Sequence, residues 1–96
     1  MLEQVTDRWG NRITLTDERW RHIIEWHPEL GGFQKYVLQT IRKGRRRQDP
    51  MDTEKYKYIY PVEGLPFGLT HIVVVVRIAA RKFVLTAYGI EKKGGR

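Results

Sequence analysis

Residues 70–88, THIVVVVRIAARKFVLTAY, are the stretch of the 96-residue chain that decides its fold. Valine and isoleucine fill the first half of this stretch. Because β-branched residues favour strands, we predict the strongest strand of the protein over residues 71–79. Residues 82–90 predict the next strand. Residues 79–82 then join the two as a hairpin, so an antiparallel sheet is expected around them.

Alternation along these two strands predicts which sheet face carries chemistry. On the first strand, one phase is wholly apolar and should meet the helices. The other phase holds His71, Val73, Val75 and Arg77. On the second strand, the predicted apolar phase is Phe83, Leu85 and Ala87, and the opposite phase is Val84, Thr86 and Tyr88.

The length of the hairpin loop sets how these phases meet. With an even number of loop residues, Val75 faces Thr86 and Val73 faces Tyr88. Four polar side chains then project from one face: His71, Arg77, Thr86 and Tyr88. This set is either a functional site or only the more solvent-exposed face of a small sheet. A register slip of one residue would destroy the alignment.

The rest of the chain predicts a hairpin and two helices before the sheet. Residues 5–16 alternate around a Gly-Asn turn dipeptide, which indicates a short hairpin. Apolar residues at helical spacing predict a first helix that begins after its N-cap Thr16 and ends near Trp26, because Pro28 disfavours helical backbone at the residue before it. A second helix is predicted over residues 33–43, and shorter strands over residues 45–48 and 56–61.

We therefore expect one α+β domain over residues 1–96. Its N-terminal hairpin and two helices should pack on one face of a three- to four-stranded antiparallel sheet. Residues 91–96 should form a basic, frayed tail.

The composition limits the chemistry. The chain has 18 Lys and Arg against 11 Asp and Glu, a net charge of +7. Such an excess favours anionic partners, namely RNA, DNA, an anionic membrane surface or an acidic protein, although solubility alone also explains it. The chain has no Cys and no Ser, which excludes disulfides, Cys-ligated zinc and a Cys or Ser nucleophile. With no signal-like or membrane-length apolar segment in the sequence, we expect a soluble, cytoplasmic protein with no membrane partner.

The basic run in residues 40–50, TIRKGRRRQDP, indicates a phosphate contact. Its first two cations suit a helix C-terminus. In an extended segment Arg45 and Arg47 point to one side and Arg46 to the other, so the three arginines do not form a single solvent-exposed face. The guanidinium group matches phosphate geometry, which favours a phosphate contact over the alternative of guarding an edge strand.

The strand YKYIY carries Tyr56, Tyr58 and Tyr60 in one phase and Lys57 in the other. A stripe of tyrosines can stack on bases, which would make Tyr58 and Lys57 contacts to RNA. The favoured alternative is a cross-strand packing ladder.

Two histidines are candidates for proton transfer. His27 falls within the apolar stripe of the first helix and lies at the helix end, so it should point towards the sheet. A lone His on an apolar face is usually structural, but this one is predicted to lie where a helix end meets a sheet rim near several cations. His71 is a second candidate from its strand phase, whereas His22 lies on the solvent side of the helix.

Three segments taken in order carry a resemblance to a known superfamily. They are LTDERWRHIIEWHPEL (residues 15–30), VLQTIRKGRRRQDP (residues 37–50) and the hairpin THIVVVVRIAARKFVLTAY. Together they resemble the small phage and bacterial domains of the barnase, EndoU, colicin and RelE-like nuclease superfamily, and the resemblance implies a nuclease-like core over about residues 12–90. Many of its members are toxins paired with a small antitoxin, so a cognate antitoxin is a possible partner.

The resemblance implies metal-independent cleavage of RNA without a cofactor. The ribose 2′-hydroxyl attacks the adjacent phosphate, leaving a 2′,3′-cyclic phosphate and a free 5′-hydroxyl. This reaction needs a general base, a general acid and cations around the phosphorane, and it needs no protein nucleophile. The lack of Ser and Cys is consistent with it.

The resemblance also implies roles for particular residues. His27 matches the helix-end His and is expected to act as base or acid, and Thr86 and Tyr88 match a polar pair that positions the phosphate. Arg46 and Arg77 are expected to stabilise charge, with His71 added from strand phase. The expected RNA-binding residues are Arg45, Arg47, Lys57 and Tyr58.

Other functions fit parts of the same sequence. A non-catalytic RNA- or ribosome-binding module uses the same charge. A metal-dependent nuclease would need Glu91 and Lys93 with a partner carboxylate that the sequence does not supply, and the three His lack a zinc-ligand spacing, so no metal site is predicted. An antitoxin role is disfavoured by the basic charge. The sequence leaves the RNA target and the oligomeric state open.

Overall fold

The computed structural model of the protein describes residues 2–93, so the last three residues of the predicted tail lie outside the described residues. Residues 91–93 are exposed and follow the last strand. The elements in chain order are β1 Leu2–Thr6, β2 Arg12–Thr16, α1 Asp17–Trp26, a 3-10 turn Pro28–Leu30, α2 Gln34–Lys43, β3 Arg45–Gln48, β4 Lys55–Pro61, β5 His71–Ile78 and β6 Lys82–Ile90.

The architecture is α+β, as predicted, but the sheet is larger than expected. Within residues 2–93 it has six strands in the order β1-β2-β6-β5-β4-β3 and is mixed. The four C-terminal strands pair antiparallel, as predicted. The prediction of a three- to four-stranded sheet was wrong because the N-terminal hairpin joins it: Thr14 of β2 pairs parallel with Phe83 of β6. One such pair leaves no periodic signal in the sequence.

The helices begin and end where local chemistry predicts. The Thr16 hydroxyl oxygen accepts a hydrogen bond from the Arg19 amide at 3.0 Å, which satisfies a free donor at the start of α1. Pro28 follows α1 and begins the 3-10 turn. After α2, a side chain at Gly44 would lie 2.4 Å from the Thr40 carbonyl oxygen and 2.7 Å from that of Ile59. Only glycine therefore allows β3 to start directly beside β4.

One core joins both helices to the sheet. Ile23 of α1 and Val37 and Ile41 of α2 are buried with apolar residues of β1, β2, β4, β5 and β6. Tyr58 belongs to this core, and Tyr56 and Tyr60 pack against it, which supports the packing-ladder interpretation of the YKYIY stripe. Burial of these side chains is the main favourable term for folding.

A β-bulge sets the register between β5 and β6. Ile78 pairs with Lys82, so the connecting loop has three residues, 79–81. The even-numbered loop on which the expected pairing depended is therefore not formed. The pairing shifts between Val75 and Val76, and Leu85 has no partner. This extra residue restores the predicted pairs of Val75 with Thr86 and Val73 with Tyr88.

The bulge also corrects the predicted phase of β6. Val84 pairs with Val76 and is 1% exposed, so it belongs to the core and not to the opposite phase. Phe83 instead pairs with Arg77. Thr86 and Tyr88 remain on the face opposite Ala87, as predicted. A strict alternation read from the sequence cannot include the extra residue.

A buried polar cluster joins the two ends of the sheet. Asp7, just after β1, is 5% exposed and accepts hydrogen bonds from Tyr58 of β4 at 2.5 Å and from the Asn11 side chain at 3.0 Å. Its carboxylate lies 3.6 Å from Arg46 of β3. Since β1 and β3 are the outer strands of the sheet, this cluster fixes the N-terminal hairpin against the far edge.

The cluster lowers the pKa of Asp7 and raises that of Tyr58, and both shifts favour the same pair of protonation states. Burial by itself would raise the pKa of Asp7, but hydrogen bonds from Tyr58, Asn11 and the Trp9 amide outweigh it and lower that pKa. Burial, and then the bond to the Asp7 carboxylate, raise the pKa of Tyr58 far above its usual value. The native pair is therefore an ionised carboxylate bound by a neutral phenol.

Replacing Tyr58 by Phe is expected to lower the free energy of unfolding by about 1–3 kcal/mol, because the buried carboxylate loses a donor. The Tyr56→Phe variant is the matched control, since the Tyr56 hydroxyl accepts only an exposed hydrogen bond from Gln48. Urea unfolding of both variants measures the difference. Equal losses would contradict the assigned importance of the Asp7–Tyr58 bond.

Asp7 should also make the fold sensitive to acid. Its folded pKa lies below the unfolded value of about 3.8, so its stabilisation is complete above that pH and is lost as the pH falls through the folded pKa. The free energy of unfolding of the wild type should therefore fall more steeply between about pH 5 and pH 2 than that of Asp7→Asn. Parallel curves from circular dichroism would refute this assignment.

Candidate functional site

Strands β3 to β6 present a second face, opposite the core, that carries most of the predicted site. Two rows of paired residues cross it. The rows are Arg45–Ile59–Val73–Tyr88 and Arg47–Lys57–Val75–Thr86. We call this surface the basic face. Val73 and Val75 are 5% and 7% exposed and are not part of the core cluster, so they form its apolar floor.

The end of α1 brings His27 to this face. Beyond Phe83, β6 has no strand partner among residues 2–93 on the side of β2, and α1 and the 3-10 turn both contact β6. The His27 and Tyr88 rings lie with centroids 5.8 Å apart. The residue that directly follows α1 thus meets the last residue of the first row, and the sequence had suggested each of the two from a separate pattern.

Glu29 braces the His27 ring, and this contact was not predicted from the sequence. Its carboxylate oxygen lies 3.6 Å from His27 Nδ1. Pro28 begins the 3-10 turn, and this turn brings the side chain at position 29 back towards the ring. Nε2 is then the ring nitrogen left for a substrate. The signal was present as the His-Pro-Glu tripeptide, but a helix-based pattern does not reveal a contact made by the next turn.

His71 lies in a basic cleft at the same end of the sheet. It pairs with Ile90, so its side chain is a diagonal neighbour of Tyr88 on the basic face. The cleft has a volume of about 300 Å³. Its lining includes Arg45, which was predicted, and Arg8, Lys43 and Lys92, which were not. These cations come from distant segments, and only tertiary structure brings them together.

Thr70 orients the imidazole of His71. Its hydroxyl oxygen lies 2.7 Å from His71 Nδ1 and accepts a hydrogen bond from the Lys92 amide at 2.9 Å. Nδ1 is thus engaged, and Nε2 is the ring nitrogen available to a ligand. Burial, and then the charge of Lys92, lower the pKa of His71. At neutral pH the ring is therefore uncharged, and the charge of the neighbouring Lys92 favours that form.

Three predicted residues do not join this group. Arg77 lies on the basic face but at its far end, where its guanidinium contacts Glu54 at 3.0 Å and Asp52 at 3.4 Å. Arg46 points to the opposite face, as its phase predicts, and lies 4.1 Å from the Trp9 ring centre and 4.6 Å from that of Tyr56. Tyr58 is fully buried, so its ring is not accessible to a base.

Comparisons of the chain with protein-family models, with curated proteins and with solved structures found no match. Within residues 2–93, no three His, Asp or Glu side chains cluster in a way that would hold a metal ion. None of the described helices has the length and apolar character needed to cross a membrane.

The geometry predicts how His71 titrates. Replacing Lys92 by Gln should raise the pKa of His71, because one of the two causes that lower it is removed. The rise should be incomplete because burial, the larger cause, remains. NMR titration of the imidazole resonances measures this, with Lys93→Gln as the matched control. An equal effect of both variants would point to net charge and not to the local contact.

Proposed function

We propose that the protein is a metal-independent, toxin-type endoribonuclease that cleaves RNA by attack of the ribose 2′-hydroxyl to give a 2′,3′-cyclic phosphate. The observation that carries this proposal is the contact of the Glu29-braced His27 ring with Tyr88, on a face that also bears His71 and a row of cations. The sequence resemblance supplies the reaction class, and the contacts of the described residues support a place for it.

The reaction requires two proton transfers, and the site offers two imidazoles. In the proposed mechanism one ring accepts the proton of the 2′-hydroxyl, and the other donates a proton to the departing 5′-oxygen. His71 suits the accepting role because its lowered pKa keeps it uncharged at neutral pH. His27 then supplies the proton from Nε2, with Glu29 holding the opposite side of its ring.

Charge on the phosphorane would be stabilised by the cations of the His71 cleft. Arg45 and Lys92 line that cleft and take the role expected of Arg46 and Arg77. The latter two are less suitable, since carboxylates already pair with both of them. Preorganised cations around developing negative charge are usually the largest single contribution to catalysis of this kind.

The remaining basic face would bind the RNA backbone. Arg47 and Lys57 occupy neighbouring positions in the second row, which ends at Thr86. Arginine offers a forked contact to phosphate, and the Thr86 hydroxyl can donate one hydrogen bond. In this arrangement Tyr88 supports the His27 ring and positions the phosphate. An acidic antitoxin would inhibit the enzyme by covering the same face.

The central test is RNA cleavage in the presence of EDTA. The wild type should cut total RNA and tRNA and leave cyclic-phosphate ends. His27→Ala should reduce the rate by about 10²–10⁴, the usual contribution of a positioned acid or base. His22→Ala is the matched control, because His22 is an exposed residue of the same helix. It should retain full activity.

The outcomes separate this proposal from its main alternative, a non-catalytic RNA- or ribosome-binding module. The basic face favours the alternative equally well, because binding needs the cations and not the imidazoles. Salt-sensitive RNA binding that survives His27→Ala, without cleavage by the wild type even on ribosomes, would establish the binding module. Cleavage unaffected by His27→Ala would remove His27 from the mechanism.

A further inference from the structure

A second basic cleft, outside the site described above, lies where β2 meets β6. Its volume is about 540 Å³. Three separate segments build it: β2, the first turn of α1, and the turn that leads into β6. The lining residues are Arg12, Thr14, Thr16, Arg19, Ala80, Arg81, Lys82, Phe83 and Val84.

The cleft gathers four cations and no carboxylate. Arg12, Arg19, Arg81 and Lys82 line it, and no Asp or Glu does. None of the four has an ion pair with a carboxylate of residues 2–93, in contrast to Arg46 and Arg77. Like charges held together repel one another, and a concave wall focuses their field, so the arrangement favours an anionic ligand.

The neutral lining residues suit a nucleotide. The hydroxyl oxygens of Thr14 and Thr16 accept hydrogen bonds from the Gln4 side chain and the Arg19 amide, at 3.3 Å and 3.0 Å, so both hydroxyl hydrogens remain to donate. The Phe83 ring also lines the cleft, with the Arg81 guanidinium 6.0 Å from its centre. Hydroxyl donors, cations and an aromatic ring are the groups that bind phosphates and bases of single strands.

We propose that this cleft is a second subsite for single-stranded RNA, which binds a backbone phosphate with Arg12, Arg19, Arg81 and Lys82 and a base against Phe83. The proposal rests on the proposed function for its substrate class. Phe83 and Tyr88 lie five residues apart on β6, about 15 Å along a strand. An RNA strand of several nucleotides would therefore reach both sites, whereas a dinucleotide would occupy only one.

This difference in reach gives the experiment. The Arg12→Gln/Arg19→Gln double variant removes two cations from the cleft. Its control, Arg21→Gln/Arg42→Gln, removes two from exposed positions on α1 and α2. Cleavage is measured on a 12-nucleotide RNA and on the dinucleotide that contains its cleaved step. Only the cleft variant should raise KM for the 12-mer, and neither variant should change kcat/KM for the dinucleotide.

Binding gives a readout that does not need activity. In the His27→Ala background, fluorescence anisotropy of the labelled 12-mer is measured at several salt concentrations. The slope of log affinity against log salt should become less steep by about 0.7 for each arginine removed from the cleft. The same loss in the absence of any cleavage would sustain the subsite and overturn only the nuclease proposal.

Two results would overturn the subsite. One is a cleft variant that binds and cleaves the 12-mer like its control. In the other, tripolyphosphate binds the wild type but not the cleft variant, while both proteins bind the 12-mer equally well. In that case the cleft would take small polyanions and not RNA.

Discussion

The buried contact of Asp7 with Tyr58 and Arg46 is the constraint on which the rest of the structure depends. Asp7 follows the outer strand β1, Arg46 lies on the opposite outer strand β3, and Tyr58, 51 positions from Asp7 in the sequence, lies on the neighbouring strand β4. The carboxylate is almost fully shielded from water, and a charge in that position is tolerated only because several donors and a cation surround it. The cluster also determines which face of the sheet each arginine of β3 occupies. Once Arg46 is held on the core face, strand alternation turns Arg45 and Arg47 to the opposite face.

The β-bulge at Leu85 is the second constraint, and it decides which side chains of the last strand lie on the basic face. The partners expected for Tyr88 and Thr86 from sequence alternation are correct. That expectation required a hairpin loop with an even number of residues, whereas the loop has three. The odd loop and the extra residue compensate each other. Before the bulge, Val84 belongs to the core, and after it Thr86 and Tyr88 point away from the core. Bulges often lie beside functional sites because they redirect a side chain in this way.

The parts of the fold that sequence predicted well are those fixed by local chemistry. The ends of α1 follow from Thr16 and Pro28, and the start of β3 follows from Gly44. The join between β2 and β6 was missed because it depends on one pair of distant residues. The same limit applies to the site. His27 and Tyr88 were predicted from separate patterns, but the contact of Glu29 with His27 and the effect of Lys92 on His71 depend on how the chain turns after α1 and after β6, which helix and strand patterns do not reveal. Arg77 was predicted to belong to the site because the carboxylates that pair with it lie more than twenty residues away, and the sequence gives no sign of these ion pairs.

The placement of the unpaired cations, more than the net charge, supports the proposed binding of a polyanion. The net charge of +7 is not spread evenly. Where arginines are structural, as at positions 46 and 77, carboxylates accompany them and their field is largely cancelled. In the His71 cleft and in the cleft at β2 and β6, the lining cations have no acidic neighbour in the lining. In the proposed mechanism, an uncharged His71 among such cations would accept the proton of the 2′-hydroxyl, and the same cations would attract the neighbouring phosphate. One electrostatic arrangement would then serve both RNA binding and proton transfer.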